Sequence, residues 1–277
     1  MNEQKRGLIK DITSLANPEL KAAKALTLKK NRVAEKRFLA EGAKLAIDAL
    51  DAGWDVETLF VARNMMDEPH VAKLAMRAVN SGANLFKVPE KAIANMTRRD
   101  NPQAVVSIII ERLSGLTALG PLSASDTIIA LDRVRDPGNL GTIIRTADAA
   151  GIKGVVLVGD CVDVFSLETV RATMGSLFVV PIVKSTPEAL FAFAKTNHAQ
   201  MIGTHLAGAK DYRLADYKSK PTIILMGNEQ SGLPDVLAEA CDALALIPQT
   251  GKADSLNLAV ASALMIYEAR RHLLAVL

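Results

Sequence analysis

Apolar positions along the chain fall into two α/β series separated by a stretch of small residues. At the start, Asn17-Pro18-Glu19 reads as an N-cap, a proline at the first helical position and an acid in the first turn. A helix is predicted from there to about Arg37. A second is predicted over Phe38–Ala52, with Leu39, Ala43, Leu45, Ala46 and Leu50 at apolar spacing and Gly53 closing it. Strand Val56–Ala62, helix Pro69–Ser81, strand Asn84–Val88, helix Glu90–Met96 and strand Ala104–Ile110 complete a small α/β domain over residues 1–113. Residues 114–125, rich in Ser, Gly, Ala and Pro, read as a linker.

The alternation restarts with strand Thr127–Leu131, helix Leu140–Ala150, strand Gly154–Val158 and helix Leu167–Met174. Strand Phe178–Val183, helix Pro187–Thr196, strands Met201–His205 and Thr222–Met226, helix Pro234–Ala240 and strand Ala243–Ile247 follow. A long helix from about Ser255 to Ala275 ends the second domain, residues 126–277. Uniformly apolar strands between helices predict a mostly parallel sheet covered on both faces, so the fold class is α/β.

Composition narrows the function. Hydrophobic residues make up 49% and charged residues 23% of 277, a globular mixture that excludes general disorder. The apolar stretches fall far short of the ~18 residues needed to cross a bilayer, and the charged start lacks the apolar core of a secretion signal. Two cysteines, Cys161 and Cys241, and four scattered histidines supply neither a disulfide framework nor a metal site. A reducing cytoplasmic setting, with no membrane and no metal, is expected. A dinucleotide Gly-x-Gly-x-x-Gly, a phosphate-loop Gly-Lys-Ser/Thr and a Gly-x-Ser-x-Gly elbow are all missing.

Charge is unevenly placed. Residues 1–37 hold ten Lys/Arg against four acids, a balance of +6 within a chain total of +3. A basic arm on a near-neutral body suggests a polyanion, with Lys21, Lys24, Lys29, Lys30 and Arg32 as candidate RNA contacts, although charge alone leaves a solvated helix surface equally open. Aromatics are only 4%, so RNA binding would rest on phosphates and shape rather than base stacking.

Three strand ends of the second domain carry unusual polar segments, where open α/β sheets bind their ligands. The first is Asp136-Pro137-Gly138-Asn139-Leu140-Gly141, followed by Arg145; Asn139 can cap a helix, and Arg145 can present a forked donor to phosphate or pair with Asp148. The second is Gly227-Asn228-Glu229-Gln230-Ser231-Gly232-Leu233, where Gly227 allows close approach of a ligand to the backbone. The third runs from Ile247-Pro248 through Gly251 to Ser255-Leu256-Asn257. There Asp254 or Ser255 can cap the final helix, with Asn257 either solvated or a buried amide in need of partners.

In this order and spacing the three segments resemble the motifs of the SPOUT superfamily of methyltransferases, in its TrmH/SpoU branch of RNA ribose 2′-O-methyltransferases. Arg171 to Gly175, with Phe178 and Pro181, resembles the family's intervening segment, and the match spans about residues 126–270. Phe38-Leu39-Ala40-Glu41-Gly42 and Asn101-Pro102-Gln103-Ala104-Val105-Val106 resemble more loosely the substrate-binding domain that often precedes it. Gln230, where the family usually has glycine, and Gln249, where methionine is common after Ile-Pro, depart from the pattern.

The resemblance implies a small N-terminal α/β RNA-binding domain and a C-terminal α/β domain knotted as a trefoil, one of the rare exceptions to unknotted chains. It implies S-adenosylmethionine held near Thr204, Leu225, Met226, Gly227, Ile247 and Leu256. Asn139, Glu229, Ser255 and Asn257 would position the reacting ribose, and Arg145, supplied across a homodimer, would meet substrate phosphate. Ribosomal or transfer RNA would be the substrate. A catalytically silent RNA-binding or assembly protein on the same scaffold is the alternative from another class, and base methylation is the alternative within the superfamily.

Overall fold

The computed structural model describes residues 6–97, 101–206, 209–252 and 254–274. The chain forms two compact units, one drawn from residues up to Arg112 and from Asp163–Phe178, the other from Leu113–Val162 and from Val179 onward.

The first unit opens with a short strand, β1 (Ile9–Asp11), and helix α1 (Pro18–Ala25), capped as the sequence suggests by Asn17, whose Oδ1 accepts the Glu19 N–H at 2.9 Å. The single predicted helix to Arg37 is two helices. Leu28 is extended (φ −98°, ψ 128°), so the chain breaks before α2 (Lys29–Glu35), which Lys36 ends in the left-handed conformation.

The predicted helix over Phe38–Ala52 also divides, into β2 (Arg37–Glu41) and α3 (Ala43–Asp51). Phe38, Leu39 and Ala40 are all buried in a strand paired antiparallel with residues 107–109, and Gly42 at φ 107° makes the turn between strand and helix. Then come β3 (Val56–Ala62), α4 (Pro69–Asn80), β4 (Asn84–Val88), α5 (Glu90–Thr97) and β5 (Val105–Ile110). The five strands lie in the order β1-β4-β3-β5-β2. One core cluster joins Leu20 and Leu26 to Phe60, Phe86 and Ile93, with the Phe60 and Phe86 rings 5.5 Å apart.

The stretch read as a linker packs on the second unit. Leu119 is 3% exposed, and Leu116 and Leu122 lie against the same cluster as Ile128 and Val156. Its leucines recur every three residues, which gives this small-residue segment one apolar side.

The second unit continues with β6 (Thr127–Asp132), α6 (Pro137–Ala149) and β7 (Gly154–Val158). From Asp163 to Phe178 the chain belongs to the first unit and carries α7 (Leu167–Ala172). It returns as β8 (Ile182–Ser185), shorter than the predicted Phe178–Val183 and displaced toward the C-terminus. There follow α8 (Pro187–Thr196), β9 (Gln200–Thr204), β10 (Lys210–Asp211), β11 (Thr222–Met226), α9 (Asp235–Glu239), β12 (Ala243–Leu246) and α10 (Leu258–Arg270).

The seven strands lie in the order β10-β12-β9-β11-β6-β7-β8, and every neighbouring pair is parallel. β6, β7 and β11 are buried along their whole length, as a sheet covered on both faces requires. Because all strands run the same way, the carboxyl ends of β6, β9, β11 and β12 share one edge. α10 packs on α6 and against β6 and β11, with Met265, Ile266 and Ala269 fully buried.

Candidate active site

The loop after β6 begins at Asp132, 3% exposed, whose carboxylate takes Nε and Nη2 of Arg133 at 2.8 and 2.7 Å. That pairing holds the Arg133 guanidinium pKa above its ordinary value. The helix that follows is capped by Asp136 rather than Asn139, since Asp136 Oδ1 accepts the Asn139 N–H at 2.6 Å. With the cap supplied three residues earlier, the Asn139 side chain is free to bond elsewhere.

The loop after β11 folds back on itself. Asn228 and Gly232 exchange backbone hydrogen bonds of 3.0 Å each, with Gly232 at φ 66°. A Cβ on Gly227 would lie 2.1 Å from the Leu233 nitrogen, so the tightness of the loop requires glycine there. Asn228 braces it, accepting the Gln230 and Ser231 N–H groups at 2.9 and 3.2 Å and donating Nδ2 to the Arg133 carbonyl at 2.8 Å.

This positions Glu229 against the β6–α6 loop. Its carboxylate accepts the Arg135 N–H (3.2 Å to Oε2), the Asp136 N–H (3.1 Å to Oε1) and Nδ2 of both Asn139 and Asn228 (3.4 Å each). Four donors converge on one carboxylate.

The loop before α10 brings in Asn257, which is the helix N-cap rather than a first-turn residue. Its Oδ1 accepts the Ala259 and Val260 N–H groups at 2.9 and 3.3 Å, and the helix starts at Leu258, not Ser255. Its Nδ2 donates to Asn139 Oδ1 at 2.9 Å. A continuous relay, Asn257 to Asn139 to Glu229, thus joins all three segments.

Between the end of β9, the loop after β11 and the segment from β12 to α10 lies a cavity of about 450 Å³, within the range of small-molecule sites. Thr204, Met226, Gly227, Ile247 and Leu256 line it, as do Glu229 and Ser255. Leu225 does not: it is 1% exposed in the sheet, and its carbonyl accepts Thr204 Oγ1 at 3.4 Å. His205 and Gln249 also line the cavity. A histidine at a strand end carries no sequence pattern, so His205 is marked only by its place on the cavity wall.

Arg145 is exposed on α6 and makes no ion pair among the described residues, so the Asp148 partnership does not form. Asn139 and Asn257 also face a groove of about 710 Å³ between α6 and α10, walled by Thr142, Thr146, Val260, Leu264 and Tyr267.

Of the basic candidates, Lys21, Lys24, Lys29 and Lys30 are exposed, whereas Arg32 is 5% exposed. Its guanidinium is spent internally, on Asp163 and on the Leu26 carbonyl, so it is not presented to a polyanion. Burial pushes the thiol pKa of Cys161 up and that of Cys241 up to about 11. Among the described residues, no group of three or more His, Cys, Asp or Glu could hold a metal ion, and no helix is long and apolar enough to cross a membrane.

The chain is similar to known proteins in both of its parts. The family model described as SpoU rRNA Methylase family matches residues 126–267, and that of the MRM3-like substrate binding domain matches residues 17–107. A 23S rRNA (guanosine-2′-O)-methyltransferase of Bacillus subtilis is 31% identical over 95% of this chain and 100% of its own. The crystal structure of an AdoMet-bound rRNA methyltransferase from Sinorhizobium meliloti superposes with TM-score 0.91 at 54% identity, covering 97% of this chain and 100% of that one. A SpoU methyltransferase from Streptomyces viridochromogenes, also solved with AdoMet, gives TM-score 0.84 at 28% identity over 92% of this chain and 98% of its own.

Proposed function

The chain belongs to the SpoU rRNA methylase family, and from that membership we propose that it is an RNA methyltransferase that moves the methyl group of S-adenosylmethionine to a ribose 2′-hydroxyl of ribosomal or transfer RNA. The observation that carries this reading is the relay Asn257–Asn139–Glu229, which ties three distant loops together beside a cavity that Glu229, Ser255 and Leu256 line.

The cavity suits the cofactor. The close backbone packing that excludes a Cβ at Gly227 leaves main-chain atoms on its wall, and Met226, Ile247 and Leu256 offer apolar surface to a ring. Thr204 and Gly227 would complete the cradle, while Leu225 shapes it from behind. The bound cofactor supplies an electrophilic methyl group on a sulfonium.

The chain's own residues then have a positioning task, because in-line attack by the 2′-oxygen depends on orientation. Ser255, exposed at the cavity, and Asn139, which faces the groove between α6 and α10, would orient the ribose. Glu229 spends its lone pairs on four donors, which suits it to hold the loop rather than take the hydroxyl proton. The Arg145 guanidinium, a forked donor with no acceptor, would stabilise negative charge developing near the substrate phosphate. Water or a phosphate oxygen then takes the proton.

The exposed lysines of α1 and α2 would meet RNA phosphates. A second copy of the chain would cover the groove between α6 and α10, where Val260 and Tyr267 are 50% and 46% exposed. Each Arg145 would then serve the neighbouring site. The sheet order, with β12 lying between β9 and β10, is compatible with the trefoil knot that the family resemblance implies. The cytoplasm is the setting in which such an enzyme meets its RNA.

The test is transfer of labelled methyl from S-adenosylmethionine to ribosomal or transfer RNA by the full chain. Label in nuclease-resistant dinucleotides is the expected result, since 2′-O-methylation blocks cleavage at the modified link. Label in free nucleosides would mean base methylation, and cofactor binding without transfer would mean a silent scaffold.

A further inference from the structure

Arg133 leaves the end of β6 in the left-handed conformation, φ 48°, which a residue with a Cβ adopts only at a cost. Its N–H donates to the Val158 carbonyl at 3.0 Å, and its own carbonyl accepts Asn228 Nδ2 at 2.8 Å, all within the second unit. The kink thus joins the loop after β6 to the residue that precedes Glu229. Two and three residues further on, the Arg135 and Asp136 N–H groups meet the Glu229 carboxylate. At an ordinary negative φ the Arg133 carbonyl would swing off Asn228, and those two amides off Glu229.

Asp132 accounts for how the kink is kept. Its side chain is 4% exposed, and Nε and Nη2 of Arg133 both reach its Oδ2. Neighbouring side chains of an extended chain point to opposite faces, so this pair forms only because the backbone turns at Arg133. A Cβ on Gly159 would lie 3.3 Å from Arg133 Cγ, so the facing turn leaves room for the folded-back stem.

We propose that Asp132 and Arg133 are positioning residues for methyl transfer: their ion pair holds Arg133 left-handed and so aims the amides on which Glu229, and through it Asn139, is registered. The inference rests on the methyltransferase reading above and adds a task for two residues that line neither the cavity nor the groove. A displacement of about 1 Å at a reacting group costs on the order of a hundredfold in rate, so a small relaxation of the kink suffices.

Glycine adopts positive φ without a clamp, and alanine does not. The full chain is therefore compared with two double variants, Asp132→Asn with Arg133→Gly and Asp132→Asn with Arg133→Ala. Both remove the pair without leaving a buried charge unpaired, and they differ only in what the backbone prefers. In the alanine variant kcat falls at least tenfold while KM for RNA stays within threefold, and amide exchange at Arg135 and Asp136, read without RNA, speeds up at least tenfold. In the glycine variant kcat and protection stay within threefold of wild type. Asp132→Asn alone, which only weakens the pair, loses kcat and protection in the same sense by a smaller factor, and it carries the test if the alanine variant does not fold. Equal losses in the glycine and alanine variants overturn the inference, and so does unchanged protection of the two amides in the alanine variant. A KM for RNA that rises tenfold in both double variants overturns it too, by placing the guanidinium on the RNA. Failure of the wild type to methylate any RNA, with the amides deprotected by alanine and not by glycine, would instead overturn the parent reading and leave the clamp standing.

Discussion

Asn257 and Asn139, 118 residues apart in the chain, meet through a single hydrogen bond of 2.9 Å between their side-chain amides. Each amide is committed at its other end, Asn257 Oδ1 to the first turn of α10 and Asn139 Nδ2 to Glu229, so neither can flip without loss. Asn257→Ala removes both the cap and the bond, and it should cost ~1 kcal/mol of stability. Asn257→Ser keeps a capping oxygen but cannot reach Asn139. It should unfold within ~0.5 kcal/mol of wild type and still lose roughly tenfold or more in kcat. Thermal unfolding beside single-turnover methylation separates the two losses, and a Ser variant with full turnover would confine Asn257 to capping.

Glu229 is surrounded by donors only. In Glu229→Gln one of its oxygens becomes an NH₂ group that must face the Arg135 or Asp136 N–H or an asparagine Nδ2. Hydrogen bonds to a charged group contribute ~1.5–3 kcal/mol each, so a loss of that order is expected in urea unfolding. Turnover should fall with it at every pH between 6 and 9. A pH–rate profile that merely shifts would instead make Glu229 the proton acceptor.

The sequence made the second unit legible because its strands are short apolar runs bounded by turn residues, and Thr222–Met226 and Gly154–Val158 lie where the pattern puts them. Phe38–Ala40 reads as helix although it is strand, because a strand buried on both faces shows no polar alternation, and Leu39, Ala43 and Ala46 also satisfy a helical spacing. The caps of α6 and α10 differ from the expected ones for a related reason, whereas the Asn17 cap of α1 is as expected. Asp136, Asn139, Ser255 and Asn257 can all cap, and the choice depends on where the neighbouring side chains find partners. Charge alone groups Arg32 with the RNA contacts, since it says nothing of a carboxylate 131 residues away.

Gly227 tests the cavity without touching charge. In Gly227→Ala the new methyl meets the Gly232 carbonyl carbon at 2.2 Å, so the 227–233 loop must move and the cavity wall with it. Titration calorimetry should show S-adenosylmethionine affinity reduced tenfold or more. Gly251→Ala, which meets nothing within 4 Å, is the matched control and should bind normally.

Cys241 offers a pH-dependent check on packing beside Gly203, whose Cβ would lie 2.9 Å from the thiol sulfur. With its pKa pushed up to about 11 by burial, the folded thiol should react with iodoacetamide at pH 8 about a hundredfold more slowly than an unfolded one. The folded thiol is the weaker acid. Its contribution to stability is therefore fully present below about pH 8.5, the ordinary thiol value, and is lost as pH rises through about 11. The urea midpoint should decline across that window, and less so in Cys241→Ala. Rapid labelling of the folded chain at pH 8 would contradict the packing.

The basic helices make a quantitative claim about salt. Lys21, Lys24, Lys29 and Lys30 all project into solvent from α1 and α2, and each phosphate neutralised on a single strand contributes about −0.7 to the slope of log K against log salt. Replacing the four with glutamine should therefore flatten that slope by up to about 3 and weaken RNA binding most at low ionic strength. S-adenosylmethionine affinity should not change, because none of these side chains lines the cavity. Arg32→Gln serves as the internal contrast: its guanidinium is paired with Asp163, so the slope should stay at the wild-type value. A slope that flattens equally in Arg32→Gln would place that arginine on the RNA, and an unchanged slope in the quadruple variant would move RNA recognition away from these helices altogether.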